Sequence, residues 1–333
     1  MFLSPAIIAL IVCALLVSGM VVFASLFGTQ IIIGWDIRST SQKQLELERK
    51  TYLISTVLNY VMGCQLFSLF LFIATVDRIH DLFTGAMCAA GTLYVNPFGY
   101  ATLVLKTLSF ILGGIWLIVN HVDHQGYDYP MIKFKYKFLI GITFLILFET
   151  VLQLRYLAAL DPEVITSCCG ALFSENAENI AADIAHLPVF GTQIAFYAGM
   201  LFVLGAGTRF YLTGKHAVVF SGLSSGLFLV CIAAVISFIS VYFYELPTHH
   251  CPFCLLQAEY HYVGYILYLS LFGAGIMGAG AGVVQPFKNL ESLKNIIPAV
   301  QKRLCLGCVL AYTAFALVAT YPLIFSDFKL EGY

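Results

Sequence analysis

The chain has 333 residues, 60% of them hydrophobic and only 11% charged, with a mean hydropathy of +0.89 and a net charge of −1. This composition excludes a soluble globular domain and points to an all-α polytopic membrane protein. No low-complexity segment, internal repeat or soluble domain interrupts it, and no nucleic-acid partner is expected.

Eight apolar runs fall near 5–33, 53–77, 99–119, 137–160, 190–212, 217–243, 256–283 and 305–324. Each is about 20 residues or longer, enough to cross roughly 30 Å of hydrocarbon as a helix. The first is read as a transmembrane helix and not as a cleaved leader. Met1-Phe2-Leu3-Ser4-Pro5 has no basic region, and the run that follows is too long for the apolar part of a signal peptide. The connection 34–52 carries Arg38, Lys43, Arg49 and Lys50, and the connection 120–137 carries Lys133, Lys135 and Lys137. Arg209 and Lys215 sit in the turn near 209–216, and Lys288, Lys294, Lys302 and Arg303 in 284–304. Thirteen of the 17 basic residues therefore lie on alternate connections. By the positive-inside rule those connections are cytoplasmic and both termini extracytoplasmic, as in a bacterial inner (plasma) membrane protein.

That orientation sorts the ten cysteines. Cys13, Cys64 and Cys231 fall within spans, where cysteine packs as a small apolar residue. Cys305 and Cys308 form a CxxC at the inner end of the last span, and helix packing is the favoured reading there. Cys88, Cys168, Cys169, Cys251 and Cys254 all fall in outer connections, where disulfides are permitted. The chain organises itself around His249-His250-Cys251-Pro252-Phe253-Cys254, at the entrance to the seventh run. Pro252 suits the first helical position, and a thiolate at a helix N-terminus is stabilised by unpaired N–H groups and the dipole. A protonated His249 or His250 would lower the Cys251 thiol further. Four ligands within six residues are awkward for a metal, so none is assigned here. Segment Ser174–Ala185 reads as a short interfacial helix able to carry Cys168 or Cys169 over the motif. Glu149, near the middle of the fourth run, is costly in a membrane and a functional candidate, with Lys106 and Arg155 as its possible partners. Glu259 and His261, read as lying one or two turns into the seventh helix, could move protons. Most of the tyrosines between Tyr242 and Tyr268 are assigned to the interfacial belt.

The stretch Tyr242-Phe-Tyr-Glu-Leu-Pro-Thr-His-His-Cys-Pro-Phe-Cys-Leu-Leu-Gln257, with the upstream Cys168/Cys169 loop, resembles the vitamin K epoxide reductase family and the bacterial quinone-linked disulfide-forming membrane proteins. The resemblance covers about residues 137–283 and implies a four-helix bundle holding a quinone beside the CxxC. It implies catalytic Cys251, Cys254, Cys168 and Cys169, with Cys254 facing the quinone and Cys251 exchanging with the loop pair. Phe253, Gln257, His261 and Glu149 become the quinone-binding candidates. The expected partners are a membrane quinone, a periplasmic or extracellular thioredoxin-like protein and other membrane subunits. Cys168 and Cys169 are adjacent here, where the family separates its loop cysteines, so one of them could pair with Cys88 instead. On this reading residues 1–136 are a three-span region of unassigned role, and 284–333 a cytoplasmic connection with the final helix. The leading function is a membrane thiol–disulfide oxidoreductase. The alternatives are a non-catalytic subunit with structural disulfides and a metal-handling protein using the outer Cys/His cluster.

Overall fold

The computed structural model describes residues 4–37, 39, 41–166 and 180–330. Among them there is no β-strand, and eight helices are long and apolar enough to cross a membrane. The spans are α1 (Pro5–Gly34), α2 (Gln42–Arg78), α4 (Phe98–Gln125), α5 (Ile132–Ala158), α7 (Val189–Thr213), α8 (Ala217–Tyr244), α9 (Val263–Val283) and α10 (Ile296–Phe325). Two short helices, α3 (Ala89–Tyr94) and α6 (Ile180–Ala185), lie in connections. The all-α polytopic reading and the eight runs are borne out. Of the expected interfacial helix, α6 is the described part; Ser174 to Asn179 lie outside the described residues, as do Cys168 and Cys169.

The helices group into two compact units. In the first, α1, α2, α4 and α5 close a ring in which α5 packs on α1 and α4, and α2 on α1 and α4. The face that α5 turns inward is partly polar. Thr143 Oγ1 meets Ser25 Oγ at 2.7 Å, and Thr150 Oγ1 meets Ser18 Oγ at 2.8 Å. Glu149 pairs with Lys106 Nζ at 2.8 Å and accepts from Gln65 Nε2 at 2.8 Å, while Lys106 also donates to Ser68 Oγ. A second buried pair joins Lys135 Nζ to Asp123 at 2.6 Å. These groups have partners in α1, α2 and α4, and lipid could not satisfy them.

That pairing explains a difference from the expected boundaries. The fourth run, α5, belongs to this first ring and not to a bundle spanning 137–283. The second unit is built from Ile79–Tyr94, α6, α7, α8, α9 and the chain from Ala299 on. Its fourth long helix is the last one, α10. Cys305 Sγ lies 3.3 Å from the carbonyl oxygen of Gly207 on α7, and Tyr312 donates its hydroxyl to the Ser224 carbonyl on α8 at 2.7 Å. Cys308 Sγ meets Ser224 Oγ at 3.3 Å, so this CxxC is engaged in helix packing.

Candidate functional site

The second unit gathers three thiols at the connection between α8 and α9. α8 carries a π-helical turn at Val235–Ile239 before it ends at Tyr244, and Glu245 reverses the chain with φ 53°. His249 N–H closes a turn on Leu246 O at 3.1 Å, and Cys251 follows in irregular backbone. Beyond it come two single 3₁₀ turns, Cys254–Leu256 and Ala258–Tyr260.

The helix expected to start at the motif begins only at Val263. His261 and Tyr262 both adopt left-handed backbone, φ 54° and 56°, which halts helical geometry immediately before α9. Pro252 is therefore not a first helical residue, and the helix-dipole argument for an acidified thiol does not apply. Glu259 and His261 lie before α9 and are exposed, instead of one or two turns inside it.

Cys88 arrives from the other side, from the connection between α2 and α4. It immediately precedes α3, and its carbonyl accepts from Gly91 N–H at 3.1 Å. Gly85 makes the bend possible: its φ is +89°, and a Cβ there would come within 2.0 Å of the Thr166 carbonyl oxygen. Thr166, two residues before Cys168 in the sequence, donates its N–H to Thr84 O at 2.9 Å and its hydroxyl to Gly91 O at 3.0 Å.

These segments bring Cys88 Sγ to 3.4 Å from Cys251 Sγ, and the sulfurs of Cys88, Cys251 and Cys254 all lie within 4.8 Å of one another. None of the described cysteines forms a disulfide. The loop is pinned from several directions. Tyr244 donates its hydroxyl to Cys251 O at 2.5 Å, Tyr268 donates to Pro252 O at 2.6 Å, and Gln257 Nε2 donates to Met87 O at 3.0 Å. Gly264, in the first turn of α9, sits so close beneath the loop that a Cβ would lie 2.9 Å from the Leu255 carbonyl group.

Burial dominates the electrostatics. Cys88 and Cys251 are 0% exposed and Cys254 4%. Burial pushes the Cys251 thiol well above its ordinary value; its hydrogen bond with Cys254 adds to the rise, and the one with Cys88 opposes it. His249 is lowered by burial and then by His250, and His250 by burial against the opposing hydrogen bond to Ile236 O. The protonated histidines expected to acidify Cys251 are therefore disfavoured. His249 Nε2 instead stands 3.4 Å from Cys254 Sγ, with its ring 4.3 Å from that of Tyr244. His250 Nδ1 contacts the Ile236 carbonyl oxygen in the π turn at 3.0 Å.

Of the candidate site residues, the structure brings together Cys251, Cys254, Phe253 and Gln257. Phe253 is buried within the motif, and Gln257 ties the motif to the Cys88 segment. Glu149 belongs to the other unit, among Lys106, Gln65 and Ser68. The expected ordering of exposure, with Cys251 nearer solvent than Cys254, is not seen. Cys88, weighed only as a partner for the loop pair, proves to be a corner of the cluster, and the hydroxyls of Tyr244 and Tyr268 hold its backbone. No family model, curated protein or solved structure matches the chain.

Proposed function

We propose that the protein is a membrane thiol–disulfide oxidoreductase whose working sulfurs are Cys88, Cys251 and Cys254, coupled to a membrane quinone. The observation that carries this reading is the thiol triangle, with Cys251 touching one sulfur from a segment 163 residues away and another three residues on. Cys251 is the shared member. It can close a disulfide with Cys88 or with Cys254, since a 3.4 Å contact needs only about 1.4 Å of approach to reach a bond of roughly 2.05 Å.

The chemistry balances as an exchange followed by a two-electron transfer. A substrate or relay thiolate attacks the cluster disulfide, forming a mixed disulfide as the cluster S–S bond breaks. A second substrate thiolate resolves it, and both cluster sulfurs leave as protonated thiols. Regeneration oxidises two thiols to a disulfide and delivers two electrons and two protons to a quinone, giving the quinol. The asymmetry of Lys and Arg supports an extracytoplasmic location, a compartment where such disulfides persist. Because all three sulfurs are buried, exchange with a soluble thioredoxin-like protein needs a relay, and Cys168 and Cys169 are the candidates for it. Phe253 and Gln257 are the residues of the motif proposed to border the quinone.

The test is alkylation mapping of every cysteine in the purified full chain, treated natively with a short-chain quinone and then dithiothreitol. At each stage the chain is unfolded at the moment of labelling, so that burial does not mask a thiol. Reversible loss and recovery of label at Cys88, Cys251 and Cys254 is expected. Unchanged labelling at all three overturns the reading.

A further inference from the structure

We propose that the fully reduced cluster binds a thiophilic d¹⁰ cation of the Zn²⁺ class through the sulfurs of Cys88, Cys251 and Cys254, with His249 Nε2 as fourth ligand. Metal occupancy would then hold the cluster out of the redox cycle. The binding step rests on the geometry alone; the gating step rests on the redox reading above.

Three sulfurs on a tetrahedral Zn²⁺ at about 2.3 Å stand roughly 3.8 Å apart, and a sulfur–nitrogen edge is about 3.5 Å. The observed triangle, 3.4 Å between Cys88 and Cys251 and within 4.8 Å throughout, is close to that spacing before any adjustment. His249 Nε2 stands at the Cys254 corner, 3.4 Å from its sulfur but outside the group of atoms mutually within 4.8 Å, so its ring must turn toward the cation to complete the tetrahedron. The sequence made a metal look awkward because every ligand seemed to come from six consecutive residues. Drawing one sulfur from Cys88 removes that difficulty and gives the two separated ligand segments that structural zinc sites use. The backbone is also held in advance, by Tyr244 on Cys251 O, Tyr268 on Pro252 O and Gln257 on Met87 O. Such outer partners orient ligands and raise affinity.

Binding exchanges three S–H protons for the cation, leaving a site of net charge −1. Oxidising any two of the sulfurs removes two of the thiolate ligands, so metal and disulfide are exclusive states of one centre. A cation without redox chemistry of its own would protect the thiols.

Co²⁺ is the reporter. Reduced, anaerobic full-length protein in detergent is expected to take up one Co²⁺ per chain. The spectrum should show a thiolate-to-metal charge-transfer band and the intense visible bands of a tetrahedral site, both removed by Zn²⁺. Weak octahedral bands without charge transfer overturn the site. Cys88→Ser should weaken binding by more than the roughly 10–100-fold that loss of an outer partner costs, and wild-type affinity in that variant overturns the ligand set. His249→Ala should shift the visible bands as water replaces nitrogen, and an unchanged spectrum overturns His249 as the fourth ligand. Misfolding of a variant is bypassed with the wild type: prior oxidation must abolish the bands and dithiothreitol restore them, and bands that survive oxidation overturn thiol ligation. Zn²⁺-loaded protein should resist oxidation by quinone; oxidation as fast as in the metal-free protein overturns the gating while leaving binding intact. Cobalt binding by thiols that no quinone oxidises would instead retire the redox reading and keep the metal site.

Discussion

Cys251 shows how a motif's chemistry depends on where the backbone puts it. At a helix N-terminus it would be acidified; in a buried loop between tyrosine hydroxyls it is pushed well above the usual thiol value of 9.0. Folding therefore favours its protonated form. Stability is untouched below about pH 9, where the thiol is neutral in both states, and declines as pH rises past it, because only the unfolded chain gains by releasing the proton. The same burial sets reactivity. In native, reduced protein at pH 7, maleimide should modify buried Cys251 far more slowly than a small free thiol such as glutathione, and unfolding should bring the two rates together. Equal rates in the folded state would contradict the burial. Gly264 is the complementary case. Gly264→Ala drives a methyl against the Leu255 backbone, with an expected cost of roughly 1–3 kcal/mol in thermal unfolding and a loosened Cys251–Cys254 loop. The loosening should appear as faster alkylation of Cys251, and protection equal to wild type would show that α9 does not brace the motif.

At the scale of the helix, α5 carries the clearest lesson about buried charge. Glu149 and Lys106 are 1% exposed and hydrogen-bonded to Gln65 and Ser68, so every participant in the pair has a partner. Removing one member strands the other in a membrane interior. Glu149→Ala should cost about 3–5 kcal/mol, whereas the double change Lys106→Met with Glu149→Leu should recover most of it, because the desolvation penalty disappears with both charges. Denaturation in detergent would measure both, and a double variant as unstable as the single one would contradict the argument. The sequence marked Glu149 and named Lys106 as a possible partner, since an intramembrane carboxylate demands one. Gln65 and Ser68 were invisible, because a neutral polar residue in an apolar run carries no signature of what it faces. The start of α9 was misread for a related reason. His261 and Tyr262 hold left-handed backbone without being Gly or Asn, so nothing in their identity announces the break.

Across the whole molecule, the eight spans were legible because twenty-residue apolar runs have one stable use in a membrane, as helices that satisfy their own backbone. Helix neighbours were not. Sequence order suggested that α5 joins α7, α8 and α9, yet side-chain pairing assigns it to α1, α2 and α4, with α10 completing the second set. The Cys88–Cys251 contact, 163 residues apart, was likewise beyond local pattern, although charge asymmetry had already put both cysteines on one side. That asymmetry carries the compartment argument and can be tested directly. Leu246, between α8 and α9, is 51% exposed, and Leu290, between α9 and α10, is 38% exposed. If the Lys- and Arg-rich connections are cytoplasmic, Leu246→Cys should gain one label from a membrane-impermeant maleimide applied to intact cells. Leu290→Cys should gain its label only after permeabilisation. The reverse pattern would turn the thiol cluster toward a reducing cytoplasm, where a lasting disulfide is disfavoured and the same three sulfurs would stand as a metal site alone.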